Sequence, residues 1–217
     1  MEFLKKGWGK IKRLILLLFV LISLIITPCI IFAESAVDWD NKAKELFDSG
    51  NYKEAIDALN KAIELNQKDA LAYNNRGNAY FKIGKYQEAI KDYSKTIELC
   101  PSFAKPYYNR GNVYFKLGKY QQAIKDHDKA IKFNPKFAKA YHNRGSAYFR
   151  LGKYQQAIKG YSKAIELSPS FAKAYYSRGD TFLLLGDYKE AINDYKTAAR
   201  LSIKEAQDYL RKKGIQW

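Results

Sequence analysis

The chain has 217 residues, 47% of them hydrophobic, and carries 38 Lys and Arg against 22 Asp and Glu. That is enough apolar material for a packed core, which excludes a disordered chain, and the basic excess favours anionic over cationic partners. Cys29 and Cys100 stand far apart with no second pair, which excludes a disulfide framework and a thiolate metal site.

In chain order, the first predicted element is a targeting or anchoring segment over residues 1–33. Lys5, Lys6, Lys10, Lys12 and Arg13 precede an uncharged run from Leu14 to Ala33. The unbroken apolar part, Leu14 to Ile26, has the length of a signal-peptide core, and Ala33 supplies a small residue for cleavage. The whole run is also about long enough to cross a bilayer as a retained anchor. Pro28 beside Cys29 argues against a lipoprotein. Either reading leaves the basic residues in the cytoplasm. The remainder is then expected on the non-cytoplasmic side, membrane-anchored or secreted, or periplasmic. It keeps a strong basic excess, 33 Lys and Arg against 21 Asp and Glu.

From Ala36 onward the chain repeats itself every 34 residues without gap or insertion, in five blocks: 36–69, 70–103, 104–137, 138–171 and 172–205. A period in this range is the signature of a stacked-repeat architecture. Each block contains two segments of helical periodicity around a Gly-x-Tyr turn, as at Gly118-Lys119-Tyr120. Glycine there suits the left-handed position that ends a helix. Pro101, Pro135 and Pro169 close the second helix of their blocks, since proline cannot continue the ladder. Small residues recur where neighbouring helices must approach: Gly77, Gly111, Gly145 and Gly179 at block position 8, and Ala55, Ala89, Ala123, Ala157 and Ala191 at position 20. Position 27 is alanine except for Thr96. Large aromatic or aliphatic residues face these gaps, among them Tyr80, Tyr114, Tyr148 and Phe182 at position 11 and the tyrosines of position 17. A last amphipathic segment, Ile203 to Lys213, would cover the end of the stack.

With this period, these small residues and these aromatics, the region 36–205 resembles the tetratricopeptide repeat (TPR) family. The resemblance implies an all-α, right-handed TPR α-solenoid of five helix-turn-helix repeats with a C-terminal capping helix over 203–213. The departures, Gln67 and Ile203 in place of proline, fall in the terminal blocks, where capping repeats become atypical.

The family implies that positions 2, 5, 6, 9, 12 and 13 of each block line a concave groove. Here they form an amide, aromatic and basic strip. Asn75, Asn109 and Asn143 recur at position 6, joined by Asn78 and Asn112 at position 9. Amides both donate to and accept from a peptide backbone. Lys105, Lys139 and Lys173 at position 2, with Lys82, Lys116 and Arg150 at position 13, supply charge; Tyr108, His142 and Tyr176 stand at position 5. The phenylalanines at position 12, Phe81, Phe115 and Phe149, fit ligand contact and packing on the next repeat equally. The arginines at position 7, Arg76, Arg110, Arg144 and Arg178, fit structural pairing with carboxylates such as Asp92 and Asp126 better than ligand contact. The clamp by which TPR co-chaperones hold acidic tails is matched by Asn78, Asn109 and Lys139, but Asn74 and Asn143 stand where it needs Lys and Arg.

No phosphate loop, metal spacing or nucleophile–base pattern occurs, and His127 substitutes for the tyrosines of position 24 as a packing variant. No enzyme activity and no cofactor are expected. The reading is a non-catalytic scaffold whose groove binds a peptide or acidic segment of a protein partner, with no small-molecule substrate, and with membrane contact through the amino-terminal segment if that is uncleaved. Two alternatives stand beside it. One is an envelope protein whose basic surface adheres to anionic lipid or polymer. The other is nucleic-acid binding, which an export signal disfavours.

Overall fold

The computed structural model describes residues 35–217, and the leader or anchor expected over residues 1–33 lies outside them. The described chain is a succession of eleven helices: α1 Ala36–Asp48, α2 Tyr52–Leu65, α3 Ala70–Lys82, α4 Tyr86–Leu99, α5 Ala104–Lys116, α6 Tyr120–Phe133, α7 Ala138–Arg150, α8 Tyr154–Leu167, α9 Ala172–Leu185, α10 Tyr188–Arg200 and α11 Lys204–Lys212. No strand and no helix long and apolar enough to cross a membrane occurs among the described residues.

Local chemistry sets the ends of these helices. Ser35 opens α1 with a reciprocal capping box to Asp38, and the Asp69 carboxylate accepts from the Leu71 and Ala72 amides to open α3. Between the paired helices, Gly118 lies at φ +72, and the Lys119 amide turns back to the Tyr114 carbonyl at 2.8 Å. A residue with a Cβ would be strained in that left-handed conformation.

Each helix packs on its sequence neighbours, so the hairpins stack in register into one solenoid. The core is a column of small residues. The position-20 alanines Ala55, Ala89, Ala123, Ala157 and Ala191 are fully buried, and so are Thr96 and the alanines that share position 27 with it. Thr96 fits because its hydroxyl donates to the Asp92 carbonyl within the helix. Glycine at position 8 is required by close approach: a Cβ on Gly111 would come within 2.8 Å of the His127 ring, and one on Gly77 within 2.8 Å of Tyr93.

The two ends differ. At the carboxyl end α11 buries Ala206 and Leu210 against α10, and Tyr209 stacks 4.7 Å from Tyr195. Leu184, Leu185, Tyr188 and Trp217 stay exposed toward that end, and no corresponding helix precedes α1 among the described residues at the amino end, where Val37, Leu65 and Leu71 are exposed. There burial and the neighbouring Asp69 push the Asp40 carboxyl up to about 6.

Candidate functional site

The first helix of each hairpin (α1, α3, α5, α7, α9) presents its strip positions along one side of the stack. These side chains line four adjoining recesses. The first lies between Phe47, Asn75, Asn78 and Lys105. The second shares Asn78 and adds Phe81, Lys82, Asn109 and Asn112. The third, about 440 Å³, shares Phe81 and Asn112 and is closed by Lys116, His142, Asn143 and Lys173. The fourth shares Phe115 with the third and adds Phe149, Arg150, Ser177 and Asp180. Because each recess shares residues with the next, together they make one groove running from the first repeat to the fifth.

Three candidates lie outside the recess linings. Lys139 is exposed at the start of α7. Tyr108 stacks on Phe137 at 4.7 Å and accepts from the Asn143 amide. Tyr176 packs into the C-terminal cluster, 5.7 Å from Tyr195. The phenylalanines of position 12 stack on aromatics of their own repeats and also border the recesses. Phe81, Phe115 and Phe149 are half-buried, each packed on the tyrosine five residues later, and each keeps a side on the groove.

The asparagines form an internal ladder. Asn109 donates to Asn78 Oδ1 at 3.0 Å and to Asn74 Oδ1 at 3.3 Å, and Asn143 donates to Asn112 Oδ1 at 2.7 Å. Each rung therefore ties one repeat to the one before it. Tyr93 donates its hydroxyl to the same Asn78 oxygen at 2.8 Å, which joins the ladder to the second helix of the hairpin. In repeat 4 the series changes partners: His142 Nδ1 meets Asn143 Oδ1 at 2.9 Å, and Nε2 meets Ser177 Oγ at 3.2 Å. Burial holds His142 below its ordinary pKa, partly opposed by the bond to Asn143, so the groove presents it as a neutral imidazole at pH 7. Burial also pushes the Tyr161 hydroxyl up to about 12, keeping it a hydrogen-bond donor.

The position-7 arginines point away from this strip and are bound internally. Arg76, Arg110 and Arg178 each grip a carboxylate of their own repeat in two parallel bonds of 2.8 Å, to Asp92, Asp126 and Asp194. Each reaches with its remaining nitrogen to the preceding repeat, at Asn60, Ser94 or Ser162.

Sequence reading missed the amino-terminal lining, where Lys44, Phe47 and Asp48 occupy positions 9, 12 and 13 of repeat 1, and the carboxyl-terminal Asp180. The positional register locates all four; Lys44 continues the basic character of the strip, whereas Asp48 and Asp180 bring carboxylates to its two ends. No group of His, Cys, Asp or Glu able to hold a metal occurs among the described residues. The arrangement offers amide and lysine donors above half-buried aromatic floors, which suits an extended chain bearing acidic and apolar groups.

The TPR repeat profile matches residues 43–84, 77–118, 111–152 and 145–186, and the tetratricopeptide repeat profile matches 172–202. No curated protein sequence matches the chain significantly. Among solved structures, the chain is similar to a crystal structure of MamA at 29% identity and TM-score 0.69, covering 76% of this chain and 96% of that one. It is similar in fold to MamA 41-end from Desulfovibrio magneticus RS-1, at 24% identity and TM-score 0.71 over 78% of this chain and 96% of that one. It is also similar in fold to YrrB, described as a TPR protein with an unusual peptide-binding site, at 23% identity and TM-score 0.66 over 82% and 92% of the two chains. With its repeats matched from Ala43 to Ser202, the chain belongs to the tetratricopeptide repeat family.

Proposed function

We propose that this protein is a non-catalytic scaffold that holds a peptide or acidic segment of a partner protein along the groove. The observation that carries the reading is the continuity of the four recesses: one strip of amides, half-buried aromatics and cations spans five repeats. The recess of about 440 Å³ carries Lys116 and Lys173, and the first carries Lys44 and Lys105. Although the ladder employs part of the asparagines' hydrogen-bonding capacity, each amide has further donors and acceptors to offer a ligand backbone. The peptide-binding site in the description of YrrB, a protein of similar fold, supports this reading.

The basic cluster Lys5 to Arg13 ahead of Leu14 to Ala33 supports a location on the non-cytoplasmic side, either released or tethered. The test is capture of partners by crosslinking in the native membrane fraction, followed by binding of the captured segment to the full chain. Lys116→Glu with Arg150→Glu is expected to weaken that binding at least tenfold, about 1.4 kcal/mol. Unaltered affinity in the double variant rules out the basic groove. The mass of the mature chain reports whether the leader is cut.

A further inference from the structure

The opposite face of repeat 3 breaks the charge pattern of its neighbours. On α2, α4 and α8 a lysine pairs with an exposed glutamate one turn on: Lys61 with Glu64, Lys95 with Glu98 and Lys163 with Glu166. On α6 the glutamate is replaced by Lys132, so Lys129 faces another lysine. The two carboxylates of α6 cannot compensate, because Asp126 is held by Arg110 and Asp128 by Arg144. Lys125, Lys129 and Lys132 are left exposed, with no carboxylate partner among the described residues. The whole repeat carries eight Lys and Arg against two Asp.

The surroundings indicate what this surface fits. The three lysines rim a shallow depression of about 460 Å³ that Tyr107, Arg110 and the two arginine-paired carboxylates Asp126 and Asp128 also line. Phe133 packs on Tyr107 at 5.6 Å and is 37% exposed beside the lysines. Lys91 and Lys159, at the position of Lys125 in the adjacent repeats, extend the basic face over three hairpins. It is broad and shallow, on the outer helices rather than in the groove, so it has nothing with which to grip a single strand. Lysines around a half-exposed aromatic match an anionic interface, where charge meets headgroups and the ring settles at the polar boundary. The uncharged run Leu14 to Ala33, about long enough to cross a bilayer, brings a lipid surface within reach of this chain.

We propose that the outer face of α6 docks the repeat array flat against an anionic lipid bilayer, leaving the groove turned away from the membrane. The test uses the full chain with Cys29 and Cys100 replaced by serine and an environment-sensitive fluorophore on Gln122→Cys, an exposed site one turn before Lys125. Vesicles of phosphatidylglycerol and phosphatidylcholine are compared with phosphatidylcholine alone. The amino-terminal segment is itself basic and is present in every sample, so the comparison of the lysine variants with the parent chain is what isolates α6. Contact is expected to shift the emission to the blue only with anionic vesicles, and to reverse in 1 M salt, where screening reaches about 3 Å. Each neutralised lysine is expected to raise the lipid concentration needed for half the shift about fivefold, so Lys125→Gln with Lys129→Gln and Lys132→Gln raises it about a hundredfold. The groove variant Lys105→Gln should leave the shift unchanged. Equal shifts with both vesicles, or an undiminished shift in the triple variant, overturn the proposal. So does a shift produced by a single-stranded oligonucleotide at physiological salt but not by vesicles, which would assign the face to soluble polyanions.

Discussion

Where repeat 2 meets repeat 3, and where repeat 3 meets repeat 4, the same backbone carries two different sets of contacts. At the first joint Arg110 is gripped by Asp126 and by Ser94 of the repeat before, and Asn78 accepts from both Tyr93 and Asn109. At the second joint Gly160 stands where the carboxylate should be, and Arg144 keeps only the bond across the joint, to Asp128, which takes the place of Ser94 and supplies the missing charge. One buried nitrogen of Arg144 is left without a partner. His127 replaces the tyrosine and, fully buried, leaves both ring nitrogens unpaired. The ring is too short to reach Asn112, which keeps only its bond from Asn143. The lesson is that a displaced charge can be restored from a neighbouring repeat, because arginine is long, whereas a displaced hydroxyl at the core cannot be.

Four measurements would break or sharpen that contrast, all by chemical or thermal unfolding. The largest loss at neutral pH is expected from Asp126→Asn, which strands Arg110 in a nearly buried pair and should cost about 3 kcal/mol or more. A loss below about 1 kcal/mol would mean the first joint does not depend on its clamp.

The second concerns pH. Burial, with the nearby charges of Arg144 and His142, lowers the His127 pKa to about 3, well below the ordinary 6.5. The folded state therefore favours neutral His127. Its contribution is complete above pH 6.5 and is lost as pH falls toward 3, at about 1.4 kcal/mol per pH unit. His127→Tyr should remove that slope, and identical acid profiles for the two proteins would refute it.

Next, Gly111→Leu must push a side chain into the His127 ring and should lower stability by about 1 to 3 kcal/mol. An unchanged melt would undo the helix-pair packing. The smallest effect is expected from Asp128→Asn, because that carboxylate is half exposed and its pair with Arg144 is exchanged readily for water. A cost below about 1 kcal/mol is predicted, and parity with Asp126→Asn would erase the distinction between the joints.

Much of this was legible in the chain before it was folded. The arginine pairs could be anticipated because Arg110 and Asp126 recur at a constant spacing on helices that the repeat itself places side by side. The direction of the asparagine ladder could not. Asn109 reaches Asn78 only because successive hairpins stack at one separation and rotation, a relation absent from any single repeat. Likewise, the half-burial of Phe81 between groove and neighbour depends on how closely Tyr86 packs against it.

The sequence by itself determined the period, the hairpin, the helix ends and the small residues of the core, because these follow from short-range backbone geometry and side-chain volume. Tertiary structure alone decided which polar groups are spent on holding repeats together and which are left for a partner. Hydrogen bonds act over about 3 Å, and only the stacked array brings residues more than thirty positions apart within that distance.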